Sequence, residues 1–327
     1  MKNIIKLKLS ILIISFVFST TLYAQNKECQ RGSLSEQFCD RDSDMMADTP
    51  LNKKKWLNPY TLVFGNTPNQ SFVFYDGARE KLMKHIEKVT GKKVIFFPYQ
   101  TNSAELEAMR SGLLHIAGLN TGSVPTAINC AGFNLFAMTA KTDGDYGYKM
   151  QIITYPNSGI KTIQDVKGEI MLFTSSSSNS GHKAPTALLK EKFNLENGID
   201  YTSRFSGKHS SSIKKIANKE YKIAAIANGI RGAMIKQGKI KKNETIVIYE
   251  SQSFPTTGYG YSHKLNPKLA QKIKEAFMTF RWMDDNSTVN IPFNKYKEDH
   301  FIDADYKNKW QIIRDINNAN NITYDCR

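Results

Sequence analysis

The order of strand-like and helix-like segments constrains the fold of this 327-residue chain more than any other feature. Apolar runs typical of buried strands occur at 61–64, 94–97 and 115–119. Between the first two runs, apolar residues recur at the spacing of one helix face, at Ala78, Leu82, Ile86 and Val89. Asn102 and Glu105 indicate the start of a second helix. This alternation predicts an α/β fold with a mostly parallel sheet flanked by helices.

A second unit of the same kind begins near Lys149. Its strand-like and helix-like segments lie at 169–174, 185–193, 207–219, 223–227 and 245–249. The segment 254–261 then leads back toward the first unit. We therefore expect two lobes joined by two crossings, with lobe 1 at 59–148 plus 256–327 and lobe 2 at 149–255. Ligands of such folds bind beyond the carboxyl ends of strands, so the expected site is the cleft between the lobes.

Residues 1–24 have the pattern of a signal peptide. Three lysines precede an apolar run at 9–17, and Ala24 places a small residue at the cleavage point. A retained membrane anchor is the alternative, but the run is shorter than the roughly 20 residues that cross a bilayer. Cys29 does not directly follow the run, which disfavours a lipoprotein anchor. We expect an exported, soluble, periplasmic protein.

The chain is strongly basic, since 45 Lys and Arg against 30 Asp and Glu give a formal net charge of +15. Nucleic acid, an anionic membrane surface or a small anionic ligand could each explain this excess. The lysines are scattered, and the short clusters at 53–55 and 239–242 have no interleaved aromatic residues. Because no nucleic-acid motif is present, we expect no nucleic-acid partner. A lysine-rich surface explains the charge, and its field would steer an anion to a cleft.

A polar leader at 25–58 contains two of the four cysteines. Cys29 and Cys39 are the favoured disulfide pair, because this segment has no core of its own and a short covalent loop would restrain it. Sequence alone leaves three full pairings open. Cys130 lies among apolar residues, which is typical of a buried free thiol.

The leader also carries an acidic loop. Four carboxylates are spaced to converge on a hard cation such as Ca²⁺, namely Asp40, Asp42, Asp44 and Asp48. Met45 and Leu51 stand where an EF-hand has glycine and glutamate, so a calcium loop here would be of another type. An acidic, solvated loop is the alternative. A structural calcium ion is the only cofactor for which the sequence gives a signal.

The segment 173–185 is the most informative one for function. A strand runs into a serine-rich turn containing Ser178, Asn179 and Ser180, and Pro185 lies near the first turn of the next helix. Free N–H groups and the dipole at a helix N-terminus favour an anion, and hydroxyl and amide groups add donors. This pattern predicts an oxyanion site. A flexible serine-rich linker is the alternative.

Two further segments place donors before helices. His209, in the loop 206–210, could donate a hydrogen bond to an anion, although such a histidine is more often structural. Asn120, Thr121 and Ser123 follow a strand, where an ordinary β–α turn is the alternative. The chain has no Gly-x-Ser-x-Gly elbow, P-loop or His-Glu-x-x-His motif, and its six histidines show no metal-ligand spacing on a helix. We expect binding rather than catalysis.

Together these residues resemble the substrate-binding proteins of phosphonate, phosphite and phosphate ABC transporters. The resemblance rests on 178–181 with Pro185, on 207–209, on the strand at 223–227 and on 253–255. The leader, with its Cys…Cys-Asp pattern, is similar to one branch that includes phosphite- and arsenite-binding relatives. The resemblance covers nearly the whole mature chain. It implies a two-lobed periplasmic binding protein of type II, in agreement with the pattern of strands and helices.

Members of this family hold the oxyanion with a Ser-Thr-Ser turn and a histidine. The resemblance implies the same role here for Ser178, Asn179, Ser180 and His209. Asparagine stands where the family usually has threonine. From lobe 1, the residues expected to close on the anion are Asn120, Thr121 and Ser123.

Two sequence differences from relatives that bind aminoalkyl phosphonates limit the choice of ligand. Those relatives place acidic groups around the amine and a tyrosine in the first lobe. This chain has Asn228 after the strand at 223–227, and its turn at 120–124 lacks the tyrosine. The resemblance therefore implies phosphate, phosphite or a small phosphonate. Asn228 and Tyr259 are further candidates for the pocket wall.

The resemblance also implies a partner, the membrane permease of an ABC importer, and a monomeric binding protein. The same fold can instead present its ligand to a membrane histidine kinase, and one chain does not separate these two roles. An exported enzyme that uses the serine turn and His209 is the remaining alternative.

Overall fold

The computed structural model describes residues 29–66, 76–141, 144–281, 300–324 and 326. The predicted signal peptide lies outside these residues. Among the described helices, none is long and apolar enough to cross a membrane.

The described part of the chain forms eleven strands. They are β1 (Thr61–Asn66), β2 (Lys93–Pro98), β3 (Ile116–Leu119), β4 (Phe133–Ala140), β5 (Tyr148–Thr154), β6 (Ile170–Phe173), β7 (Thr202–Phe205), β8 (Ile223–Ala227), β9 (Ile246–Phe254), β10 (Gly258–Ser262) and β11 (His300–Asp303). The α-helices in the same ranges are α1 (Asp76–Thr90), α2 (Asn102–Arg110), α3 (Val124–Ala131), α4 (Ala184–Phe193), α5 (His209–Ala217), α6 (Asn228–Lys236), α7 (Pro267–Thr279), α8 (Tyr306–Lys309) and α9 (Gln311–Ala319).

The strands form two sheets, one in each lobe. The lobe 1 sheet has the order β11-β4-β10-β3-β1-β2, and the lobe 2 sheet has the order β7-β6-β8-β5-β9. The expected α/β architecture is confirmed, but both sheets are mixed. β5 and β10 are antiparallel to both of their neighbours, and β11 is antiparallel to β4. β5 and β10 are the strands that follow the two crossings, so the chain enters each sheet against the direction of the strands beside it.

Helices cover the sheets by burying one apolar face each. In lobe 1, Leu82 and Ile86 of α1 are fully buried with Phe277 of α7. In lobe 2, α4 packs on one face of the sheet, while α5 and α6 pack on the other. Adjacent residues Ile152 and Ile153 of β5 therefore enter opposite layers, as alternation along a strand requires. Each such side chain contributes roughly 1.5–3 kcal/mol on burial.

The start of α2 differs in detail from the expectation. Thr101, rather than Asn102, caps the helix, and its Oγ1 accepts a hydrogen bond from the N–H of Ala104 at 3.1 Å. The side chain of Asn102 therefore does not cap the helix. Its Nδ2 donates to Oγ of Ser177 in lobe 2 at 2.8 Å, so this helix start contributes to the contact between the lobes.

Two disulfides restrain the described ends of the chain, one within the leader and one between the C-terminal end and lobe 1. Cys29 bonds to Cys39 within the leader, and Cys130 of α3 bonds to Cys326. The expectation of a free thiol at Cys130 is therefore wrong. Cys130 is buried, as its apolar neighbours in the sequence indicated, but its disulfide partner lies 196 residues away. Local sequence context carries no signal for a partner at that separation.

The long-range disulfide should contribute strongly to stability. We expect Cys326→Ser to lower the free energy of unfolding by about 2–5 kcal/mol, because the bond closes a long loop in the unfolded chain. Cys29→Ser removes a disulfide that spans a sequence separation of only 10, so it should lower the free energy of unfolding by less. Urea unfolding of both variants measures this. Free thiols in the unfolded, unreduced wild type would contradict the pairing.

Candidate functional site

Helix starts from both lobes converge where the strands end. In lobe 2, β6 leads through a π-type turn at Asn179–Lys183 into α4, β7 leads into α5, and β8 leads directly into α6. In lobe 1, β3 leads into α3. Helix N-termini present N–H groups without partners in the helix, so such a cluster favours negative charge.

Ser178 begins the donor turn. Its Oγ accepts a hydrogen bond from the N–H of Gly181 at 3.0 Å and lies 3.4 Å from Nε2 of His209. A serine hydroxyl has two acceptor positions and one proton. Because both neighbours approach the oxygen as donors, the Ser178 proton remains available for another acceptor.

The tautomer of His209 follows from its backbone contact. The N–H of Ala227 donates to Nδ1 of His209 at 3.1 Å. An N–H cannot accept, so Nδ1 carries no proton and the neutral ring carries its proton on Nε2. The His209 ring is 6% exposed, and it presents a neutral donor on the side of Ser178.

Asn179 and Ser180 lie buried beside one tyrosine hydroxyl. Nδ2 of Asn179 donates to the hydroxyl oxygen of Tyr148 at 3.3 Å. Ser180 lies near enough to the same hydroxyl for its backbone N–H and its own hydroxyl to lower the pKa of Tyr148. Oδ1 of Asn179 is buried and has no partner among the described residues. The turn therefore aims several donors and one unfilled acceptor into a small region.

Tyr148 also lies near lobe 1, where the side chain of Thr121 is close enough to its hydroxyl to lower its pKa. Burial raises the pKa of this phenol, so it stays protonated. Sequence analysis missed Tyr148 because it looked for a lobe 1 tyrosine only in the turn at 120–124. The usable signal was its place at the start of β5, directly after the chain crosses between lobes.

The lobe 1 turn is ordered by its own side chains. Oγ1 of Thr121 donates to the backbone oxygen of Pro255 at 2.9 Å. Nδ2 of Asn120 donates to Oγ of Ser123 at 2.9 Å. Gly122 lies against lobe 2, since a Cβ added there would meet the backbone oxygen of Ser177 at 2.3 Å. Thr121 therefore belongs to the lobe 1 turn that meets lobe 2, while Asn120 and Ser123 bond to each other.

The two remaining candidates have structural partners. Oδ1 of Asn228 accepts from the N–H of Lys149 at 3.0 Å and of Gly229 at 2.8 Å, which joins β5 to the start of α6. Tyr259 is fully buried in the core of lobe 1, where its ring packs on Phe277 and Phe301. The structure thus places Tyr259 in that core rather than in the pocket wall.

Lys183 ends the donor turn and is 7% exposed. Its Nζ donates to the backbone oxygen of Gly122 across the lobe boundary at 2.7 Å. Burial lowers the pKa of this ammonium to about 8. Sequence analysis did not single out this lysine, because nothing local distinguishes a buried lysine from the many exposed ones.

The acidic leader loop brings together three of its four aspartates. Carboxylate oxygens of Asp40, Asp42 and Asp44 lie within 4.8 Å of one another. Asp48 instead pairs with Arg41 at 2.8 Å. Burial, together with the neighbouring carboxylates, raises the pKa of Asp44 to about 6.

Comparisons with known proteins agree with this architecture. The family model described as "ABC transporter, phosphonate, periplasmic substrate-binding protein" matches residues 64–308. The chain belongs to this family. It is thus a periplasmic substrate-binding protein of an ABC phosphonate/phosphate importer, and a solute-binding transport protein rather than an enzyme. The suspected family is confirmed.

Several characterised proteins are similar to this phosphonate-family binding protein. The phosphate-import protein PhnD of Mycolicibacterium smegmatis is 25% identical over 71% of this chain and 75% of its own. The phosphonates-binding periplasmic protein of Escherichia coli is 24% identical over 61% of this chain and 60% of its own. PhnD1 of Prochlorococcus marinus, solved with methylphosphonate, shares the fold with a TM-score of 0.68 at 16% identity, over 81% of this chain and 99% of that one.

Calcium should stabilise this binding protein if the three leader aspartates hold it. Without a cation, the raised pKa of Asp44 means that the folded state binds its proton more tightly than the unfolded state. The free energy of unfolding should then decrease as the pH is raised from about 4 to about 6, because the folded state has to release the proton that it binds more tightly. A bound calcium ion should abolish this fall and raise the Tm.

The measurement is urea unfolding at both pH values, with calcium or with a chelator. Asp44→Asn is the matched control, because it removes the titrating group and should lose both effects. Equal stability in calcium and in chelator would contradict the calcium site.

Proposed function

We propose that the protein captures a small phosphorus oxyanion between its lobes and delivers it to the permease of an ABC importer. Phosphate, phosphite and small phosphonates are the ligands in question. The observation that carries this proposal is the meeting of the two lobes at one place, where Asn179 of lobe 2 donates to the hydroxyl of Tyr148 and Gly122 of lobe 1 lies against the backbone of Ser177 and Asn179. Contacts from both lobes would favour the closed form when ligand is bound.

The functions of the similar proteins support this ligand class. One is a phosphate-import protein, one is a phosphonates-binding protein, and one was solved with methylphosphonate. All three ligands share a tetrahedral phosphorus with three or more oxygens. We assign that shared group to the donor turn and His209.

The donor set suits such a group. Ser178, Asn179, Ser180 and His209 contribute hydroxyl, amide, backbone and imidazole donors without a formal charge. Each charge-assisted hydrogen bond adds roughly 1.5–3 kcal/mol, and association and closure consume a large share of the sum. A dissociation constant between nanomolar and micromolar follows from five or six such bonds.

Two details of the pocket favour a protonated oxyanion without an amine. The buried Oδ1 of Asn179 has no partner among the described residues, and a P–OH group would provide its missing donor. Sulfate carries no proton at neutral pH and would leave that oxygen unpaired. Asn228 offers no negative charge to an amine, and its oxygen is already used by two backbone N–H groups.

Replacing the principal donors should weaken anion binding. We expect Ser180→Ala and His209→Ala each to raise the Kd at least tenfold, about 1.4 kcal/mol, because each removes a hydrogen bond to the anion. Isothermal titration calorimetry of refolded, ligand-free protein with phosphate, phosphite, methylphosphonate and sulfate measures this.

Ser111→Ala and His85→Ala in lobe 1 are matched controls and should bind as the wild type does. Unchanged affinity in both donor variants would overturn the assignment of the site. Absence of binding to every phosphorus oxyanion would overturn the proposed function.

The close approach at Gly122 gives a test of closure. Gly122→Ala should weaken anion binding at least tenfold, because its Cβ would overlap the backbone oxygen of Ser177 and hold the lobes apart. Gly232→Ala on α6 is the matched control, since its Cβ meets nothing within 4 Å. Small-angle scattering with saturating phosphate should show a larger radius of gyration for Gly122→Ala alone. Wild-type affinity in that variant would contradict closure through this contact.

A further inference from the structure

The ammonium of Lys183 is buried at the boundary between the lobes. Its side chain leaves the donor turn of lobe 2, and its Nζ donates to the backbone oxygen of Gly122 in lobe 1 at 2.7 Å. Gly122 in turn lies against Ser177 and Asn179. The ammonium is therefore placed beside the turn proposed to hold the oxyanion, and it is enclosed where the two lobes meet.

Among the described residues, no carboxylate compensates this charge, because none has a carboxylate oxygen within ion-pairing distance of Nζ of Lys183. The turn packs against α4, β5, β8 and α9. The titratable or charged groups on the turn and on these elements are His182, Tyr148, Lys149, Lys190, Glu191, Lys192, Arg314 and Asp315. Burying an unpaired charge is costly, so such a group is normally paired or neutralised.

The other groups at the site are neutral. His209 accepts the N–H of Ala227 on Nδ1 and so carries no positive charge. Ser178, Asn179, Ser180 and Thr121 are uncharged. Lys183 is the one side chain in this set that carries a formal charge opposite to that of an oxyanion.

We infer that Lys183 provides the positive charge that compensates the bound oxyanion, so that the lobes close stably over an anion and poorly over an empty or neutral site. This inference rests on the proposed function. It adds that Lys183 recognises the negative charge of the ligand. Without an anion, closure encloses an ammonium whose only described partner is the Gly122 carbonyl. With an anion beside the turn, the same ammonium has its counter-charge.

The pH dependence follows from this pairing. Burial lowers the pKa of Lys183 to about 8 in the ligand-free protein, and a neighbouring anion raises it. Affinity should therefore be highest below about pH 8 and should fall as pH rises above that value, because ligand must then bind together with a proton. Phosphate keeps one charge state above that pH, so its own ionisation does not produce the fall.

Three substitutions separate charge from packing and hydrogen bonding. Lys183→Gln retains a donor that can reach Gly122 without the charge, Lys183→Met retains the aliphatic length, and Lys183→Arg retains the charge. Lys192→Met is the matched control, because it removes the same charge from an exposed position on α4. Calorimetry with phosphate from pH 7 to pH 10, and with methylphosphonate at pH 7, gives the affinities, and the Tm reports folding.

We expect Lys183→Gln and Lys183→Met to bind at least tenfold more weakly at pH 7 and to lose the fall in affinity above about pH 8. Lys183→Arg should recover most of the affinity, and Lys192→Met should match the wild type. Folded Lys183→Gln with wild-type affinity, or with the wild-type pH profile, would overturn the inference. If the wild type bound neither ligand, the proposed function would fail instead.

Discussion

The contact of Gly122 with the turn at Ser177–Asn179 is the constraint on which the site depends. A residue without a side chain lets the lobe 1 turn approach the backbone of lobe 2. This approach allows Thr121 to reach the hydroxyl of Tyr148 and Lys183 to reach the Gly122 carbonyl. The two lobes thus meet at one place, where donors, a phenol and an ammonium surround the same small region.

The fold explains why these donors are aimed at one point. Each lobe places helix starts at the carboxyl ends of neighbouring strands, where N–H groups and helix dipoles favour an anion. Backbone contacts then orient the side chains, as the Ala227 N–H does for His209. In the proposed account, neutral donors define the shape of the site and Lys183 defines its charge, so exposed surface lysines take no part in recognising the anion.

Local sequence patterns correctly predicted individual strands and the turns that follow them. The strand at 223–227 coincides with β8, and the serine turn and His209 lie together at the ends of β6 and β7. Features fixed by contacts between distant residues escaped prediction. The bond between Cys130 and Cys326 joins residues far apart in the chain, and the burial of Lys183 depends on the arrangement of two lobes. Tyr148 lies in neither the lobe 1 turn at 120–124 nor the serine turn of lobe 2. It reaches the site from the start of β5, where the chain passes from lobe 1 to lobe 2.

The most direct test of this account is a crystal structure of the protein grown with phosphate or methylphosphonate. The account predicts the phosphorus group between the lobes, with its oxygens at about 2.7–3.2 Å from the Ser180 N–H, Nε2 of His209 and the lobe 1 turn at Thr121. An anion bound outside this cleft, or closed lobes with these donors directed elsewhere, would contradict it.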